Sequence, residues 1–388
     1  MPTFDPNYLA GLPGPIWLIF FLKVLGFVLH LVPMGLWAVA LPFSVLAATL
    51  LPETSQTGRF GRRMLRQMPI FIALGINFGI VPLLFIQTLY PKPFYTATIL
   101  IAWHWFIIIP LLLVGYYGVY IVSFAVKAEP GSRQRRLLFP VGIIASLCFL
   151  AIGLLIGNGM TLLGHPDRWP EIFMKTQTAA AVSGFGTNMG DPSLWWRLLA
   201  MLGLALVTTG IWAMIDACLF ADGTKDANVA YRRWAARFAA CLATIGVAAL
   251  GTVQYVRYGL KSIAAASGNR PDALYWDYPF FEYVPYLALL LLVLLFVIAI
   301  RGDYGGKLLT AVIAVYTVLL AIFGIIRQIG QHDSIVHAAQ MADLTEKTQW
   351  TPILLFLVTF VLGVLCIAWI VRQLVLAPPE NVAADQQT

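Results

Sequence analysis

The chain has 388 residues, of which 60% are hydrophobic and 11% charged, with a mean hydropathy of +0.81. Soluble domains carry about 25% charged residues, so this composition excludes a soluble globular protein and specifies an all-α integral membrane protein with backbone polar groups satisfied inside helices. The net charge of +7 does not mark a nucleic-acid binder, because the basic residues sit in short connectors between apolar segments, a topology signal.

The first fifteen residues, MPTFDPNYLAGLPGP, lack a basic n-region and a small-residue cleavage site, so the first apolar segment is expected to remain in the mature protein. Nine spans follow, near 16–50, 69–90, 93–126, 137–163, 194–221, 234–256, 281–300, 305–326 and 350–372. Each is long enough for a hydrocarbon core that needs roughly 20 residues. The first and third would reach roughly 50 Å as straight helices, so kinks or tilts are expected. Pro33 and Pro42 are natural kink points in the first.

One set of connectors holds Arg59, Arg62, Arg63, Arg66, Lys127, Arg133, Arg135, Arg136, Lys225, Arg232, Arg233, Arg237, Arg301 and Lys307, with Arg372 at the end of the last span. The positive-inside rule places this set in the cytoplasm, with the N-terminus outside and the C-terminus inside. On the outer side, Trp169, Ile172, Phe173 and Thr176 fall at helical spacing, and 168–180 reads as a short interfacial helix. A turn with Gly184, Gly186 and Gly190 comes next. Outer loops 257–282 and 327–349 are long, as partner-binding loops often are. The expected organisation is a four-helix N-terminal part (1–164), an outer segment (165–193), a five-helix C-terminal part (194–372) and a polar tail (373–388).

Ionisable residues within spans are function candidates by default. Lys23 and His30 lie seven positions apart in the first span, on one helix face. At 1.5 Å per residue, His30 lies about 20 Å from the start of its span and His104 about 15 Å from the outer start of the third. Two imidazoles at such depths can ligate one b-type haem iron from opposite faces. The plainer reading of each is an interhelical hydrogen bond. Lys23 can snorkel outward, or pair with a haem propionate or a quinone oxygen. Arg327, at the outer end of span eight, can neutralise a propionate or face water. Asn77 reads as an interhelical hydrogen-bonding residue, and Asp216 as a proton relay or an interface group. His332 and His337 are five apart and so point to different faces, a weak metal pattern.

Cys148, Cys218, Cys241 and Cys366 all fall in apolar segments and read as small buried hydrophobes. No Cys-x-x-Cys-His occurs, so any haem is held non-covalently. Walker A, Rossmann and zinc motifs are missing. The third span contains neither Asp nor Glu between Phe94 and Val126, which argues against a proton-coupled transporter or an oxygen reductase that would use carboxylates there.

His30-Leu31-Val32-Pro33-Met34-Gly35 and Gly75-Ile76-Asn77-Phe78 are similar to patterns in the first two spans of subunit I of cytochrome bd quinol oxidases. Most of the chain resembles a group of bacterial membrane proteins that occur with multihaem c-type cytochromes. That likeness lies in VPLLFIQTLYPKPFYTATIL (81–100), GYYGVY (115–120), NGMTLLGHPDRW (158–169) and QWTPILLFLVTFVLGVLCIAWIVR (349–372). The resemblance implies a subunit of the bacterial cytoplasmic membrane that binds b-type haem, quinone or both. It would exchange electrons with a c-type cytochrome on the outer face. His30 would be the principal ligand. The oxidase pattern has a ligating histidine on a later span; span five here has none, and Met201 is the nearest substitute. A haem-free anchor for a redox partner is the alternative, and a transporter or channel the third reading.

Overall fold

The computed structural model describes residues 12–129, 132–221, 225–266, 284–302, 304–338 and 348–376. Twelve helices of five residues or more organise them: α1 (Ile16–Leu50), α2 (Gln56–Leu89), α3 (Pro91–Leu100), α4 (Ala102–Phe106), α5 (Ile108–Ala125), α6 (Leu138–Leu163), α7 (Trp169–Thr176), α8 (Pro192–Phe220), α9 (Lys225–Ala266), α10 (Val284–Arg301), α11 (Gly306–Ala338) and α12 (Trp350–Leu376). Eight stretches are long and apolar enough to cross a membrane, and the 27-residue apolar α12 accompanies them. The protein is therefore an all-α multi-pass membrane protein, as composition requires. Large apolar side chains such as Leu113, Phe124, Leu147 and Phe296 stay exposed along the spans, the expected surface for a lipid solvent.

Three helices depart from straight rods. In α1, Pro33 has no N–H to donate, and a π turn follows over Leu36–Ala40, closed by Leu41 N–H donating to Leu36 O. A second π turn ends α8 at Asp216–Phe220. The expected third span is in three pieces, α3, α4 and α5. The cause is the loop at 184–186: Gly186 N–H donates to Leu100 O (2.9 Å), and Trp103 N–H donates to Gly184 O (3.1 Å). These bonds occupy backbone groups that a continuous helix would use. Gly184 has φ of +78°, a left-handed backbone that glycine adopts without a Cβ clash.

The expected interfacial helix is present as α7, shorter than 168–180. The expected outer loop from 257 is helical through Ala266, and that from 327 is helical through Ala338. Residues 267–282 and 339–347 of these loops, the N-terminal residues 1–11 and the tail from 377 lie outside the described residues.

Contacts sort the connectors into two ends. At one end, Arg59 donates to Ala227 O and Asn228 Oδ1, Arg63 pairs with Asp216, Arg135 reaches Val126 O and Glu53, and Gly302 lies against Arg233. This is the arginine end. At the other, Tyr90 meets His332, Gly164 meets Ser334, and Asn158 accepts from Asn188 N–H. This is the loop end. Each span from α1 to α11 therefore runs opposite to the one before it.

Asp216 is buried and accepts from Arg63 Nε (2.8 Å), Arg63 Nη2 (3.2 Å), Gln67 Nε2 (2.6 Å) and Tyr231 Oη (2.8 Å). Arg63 also donates to Phe220 O. The geometry gives Asp216 a structural place: its carboxylate ties α2, α8 and α9 together. Helices α8 and α9 approach each other closely. A Cβ on Gly203 would stand 2.7 Å from Gly246 O, and one on Gly210 would stand 2.8 Å from Ala239 Cα. Small residues that allow such approach are the usual means of packing helices in lipid.

One apolar core holds Leu31, Leu36, Met64 and Phe149 together with Leu204, Ile211, Ala239 and Leu320. It therefore draws on both sides of the 165–193 segment. By packing, the chain divides into Phe20–Met341 and a second unit of Met1–Ile19 with Ala342–Thr388. Within the second unit, Gln349 N–H donates to Pro13 O at 2.9 Å.

Candidate functional site

The seam between α1 and α2 carries the first histidine. Gly75 and Gly79 lie four apart on α2, one above the other on a helix face. They open a groove in which no side chain separates α2 from α1. Trp37 fills the space where a Gly75 Cβ would stand, and His30 fills the space at Gly79, whose Cβ would lie 2.8 Å from His30 Cε1. His30 Nδ1 is 2.8 Å from Gly75 O. A carbonyl only accepts, so Nδ1 carries the proton and donates. The lone pair then belongs to Nε2, the tautomer of a metal-ligating imidazole oriented from its second shell. The Trp37 ring meets the imidazole edge-on, with centroids 5.8 Å apart.

Two turns toward the loop end, Lys23 is 0% exposed. Snorkelling is not what the fold allows it. Its Nζ sits over the rings of Phe20 (5.2 Å) and Tyr90 (5.1 Å), and among the described residues no hydrogen-bond acceptor reaches it. Arg327 of α11 is within electrostatic reach. Tyr90 Oη is 2.5 Å from His332 Nδ1, and Phe20 meets the His332 ring edge-on at 5.4 Å. Two rings roof a buried ammonium, and a tyrosine–histidine pair closes the roof. Keeping Lys23 charged in this place, buried and beside Arg327, costs several kcal/mol without a partner, so an anionic or strongly accepting ligand is what would hold it as an ammonium.

The other sequence candidates lie apart from this seam. His104 is on α4, directly after the break that loop 184–186 pins. Its neighbour Trp105 packs at Gly159, about 6 Å from the loop-side end of α6 at 1.5 Å per residue. By the same measure His30, opposite Gly79, is about 16 Å along α2 from Tyr90. The comparable depths expected of the two histidines are not realised, because α3 is a separate helix and does not add to the depth of His104. His104 Nδ1 is buried without a hydrogen-bond partner. Met201 packs against the core from α8. It is four residues before Ala205, which meets Gly35; parallel α1 and α8 therefore set Met201 level with Leu31. Asn77 is exposed and donates to its own helix at Ala73 O (2.7 Å), so it makes no bond to another helix. Of His332 and His337, the first joins Tyr90, and the side chain of the second lies outside the described residues. Sequence reasoning missed Tyr90, Trp37 and Gly79, and read His332 only as a weak metal candidate with His337; the one local signal was the Gly-x-x-x-Gly spacing at 75–79.

A second polar cluster fixes the loop between α7 and α8. Asn158, Thr161, Asn188 and Asp191 are all buried. Asn188 N–H donates to Asn158 Oδ1 (2.8 Å), Asn188 Nδ2 to Asp191 Oδ2 (3.0 Å), and Arg168 Nη1 to Asn188 Oδ1 (2.7 Å). His165 Nδ1 lies 3.2 Å from Asp191 Oδ2, and Asp191 caps α8 by accepting from Ser193 N–H. Burial alone would raise the Asp191 carboxyl, but Ser193, His165 and Asn188 outweigh it and hold it below the ordinary carboxylate value. A depressed carboxylate stabilises the fold at neutral pH and loses that contribution as pH falls below about 3.9 and through the folded pKa. Amide exchange across 158–193 should therefore accelerate on acidification below that value, and Asp191→Asn should remove most of the difference between neutral and acid pH.

The fold is similar to that of a chain in the structure of bd oxidase from Geobacillus thermodenitrificans, with a TM-score of 0.66, 14% identity, and 95% of this chain covering 100% of that one. At that identity the likeness is one of fold. It agrees with the distant resemblance carried by His30–Gly35 and Gly75–Phe78. No family model matches the sequence, and no curated protein does.

Proposed function

We propose that the chain is the membrane subunit of a quinone-linked electron-transfer complex and holds a b-type haem on His30. One observation carries this reading: on a single face of α1, an imidazole with its Nε2 lone pair free to ligate stands two turns from a buried ammonium that has no acceptor. Seven residues place the two about 10 Å apart along the helix. The donor set suits a cofactor with a metal at its centre and carboxylates at its rim. The Gly75 carbonyl fixes the tautomer and tilt of His30. Gly79 keeps the ring close to α2, and Trp37 limits its rotation. Lys23 and Arg327 supply positive charge for propionates or for an anionic quinone oxygen. When bound, haem supplies one-electron chemistry, with its potential set by the axial ligand and its surroundings.

Neither His104 nor Met201 is on the His30 seam, so His30 is the one anchor this reading requires. The loop end, with α7 and the pinned Gly184–Gly186 turn, is the surface for a c-type cytochrome partner, multihaem by the sequence resemblance. This reading sets the loop end outside and the arginine end in the cytoplasm, following the charge rule, in a bacterial cytoplasmic membrane. The bd-oxidase-like fold supports it.

The test is an optical spectrum of the purified chain, with haem type and stoichiometry from the pyridine haemochrome. About one b-type haem per chain, or more, is expected. A folded, monodisperse sample with no chromophore that still co-purifies with a cytochrome would replace this reading with that of a haem-free anchor.

A further inference from the structure

At the arginine end, Arg59, Arg62, Arg63 and Arg66 occupy positions i, i+3, i+4 and i+7 of α2, a single helix face. With Glu53 they line a cavity of about 290 Å³. Orientation signals alone need only positive charge in a connector, and scattered exposed lysines would serve. Here two arginines build walls. Arg59 is spent on Ala227 O, Asn228 and the face of Tyr231, with its guanidinium 4.5 Å from the ring centroid. Arg63 is spent on Asp216 and Phe220 O. Arg62 is different. Its Nη2 donates to Glu53 O at 2.7 Å, while its Nη1 is buried with no hydrogen-bond partner. Glu53 offsets the Arg62 charge only in part: its carboxylate acts on Arg62 through space, but it is 64% exposed and its ion pair is with Arg135 at 3.5 Å. A buried N–H of a charged group without an acceptor is costly, and four like charges around one cavity add to that cost.

The cavity lies where polar surface gives way to apolar surface. Leu50 and Leu51 precede it and Ile70 follows it, all exposed. A ligand there meets guanidinium forks on one side and lipid-facing side chains on the other. We infer that this cavity binds the phosphodiester headgroup of an anionic phospholipid. The Arg62 and Arg66 forks would engage the phosphate oxygens, and the acyl chains would lie along Leu50, Leu51 and Ile70. Arginine suits this task because its planar fork matches phosphate oxygens in pairs, and basic pockets between membrane helices are favourable places for anionic headgroups.

The test uses the full chain, purified and stripped of lipid in a neutral detergent. It is titrated separately with phosphatidylglycerol, phosphatidylcholine and inorganic phosphate, with bound lipid counted by native mass spectrometry and thermal unfolding followed in parallel. Phosphatidylglycerol should bind at least tenfold more tightly than phosphatidylcholine and raise the unfolding temperature, while inorganic phosphate does neither. R62Q/R66Q should lose that preference. R62K/R66K, which keeps the charge, should retain part of it and guards against a misfolded Gln variant. Equal binding of the two lipids, an undiminished preference in a folded R62Q/R66Q, or an equal response to inorganic phosphate would each overturn the inference. None of these readouts involves haem.

Discussion

His30→Ala should leave a folded protein that has lost its b-type haem. Loss of a second-shell partner alone typically costs about 10- to 100-fold in metal affinity, so removal of the ligand itself should bring haem content below about a tenth of the parent. Fold retention is expected because His30 is only partly buried and its one direct bond is to a backbone carbonyl that an ordinary helix turn can reclaim. His104→Ala is the informative companion. His104 stands beside the loop at 184–186 rather than on the α1–α2 seam, so its replacement should leave the haem content near that of the parent. Equal loss in both variants would restore the two-histidine ligation read from the sequence. Full retention in His30→Ala would remove His30 from the site. The measurement is the pyridine haemochrome per mole of chain, read with the elution profile of each variant.

The largest effect on stability should come from Asp216→Ala. Removing one partner of a buried charge pair typically costs about 3–5 kcal/mol. Here the loss would strand Arg63, Gln67 Nε2 and the Tyr231 hydroxyl together, at the point where α2, α8 and α9 meet. Asp216→Asn keeps an acceptor and should cost less. Denaturant unfolding in detergent micelles would read both. A midpoint for Asp216→Ala within the error of the parent would show that the carboxylate does not hold these helices, and would reopen its reading as a proton relay.

Much of this architecture is legible in the sequence because hydropathy and charge act locally. Apolar runs of spanning length mark the helices, and Arg59 to Arg66 mark one end of the bundle. Long-range contacts were not legible. The break at Ile101 falls in an unbroken apolar run, and its cause is a pair of backbone bonds from Gly184 and Gly186, which no local pattern announces. Lys23 reads as a snorkelling residue when depth alone is considered. Its burial follows from Tyr90 folding over it, and Tyr90 is held by a histidine 242 positions away. The groove at Gly75 and Gly79 was visible as a spacing, but which side chain it admits depended on the phase of α1.

That phase is set by the π turn at Leu36–Ala40. A regular helix advances 100° per residue, and a turn closed from residue i+5 to residue i slips by about one residue against that count. Lys23 and His30 lie before the slip; Phe43, Val45 and the contacts that bind α1 to the arginine end lie after it. The turn thus works as a clutch between two registers. The half of α1 that carries Lys23 and His30 can be tuned residue by residue while the other half keeps its grip on the bundle.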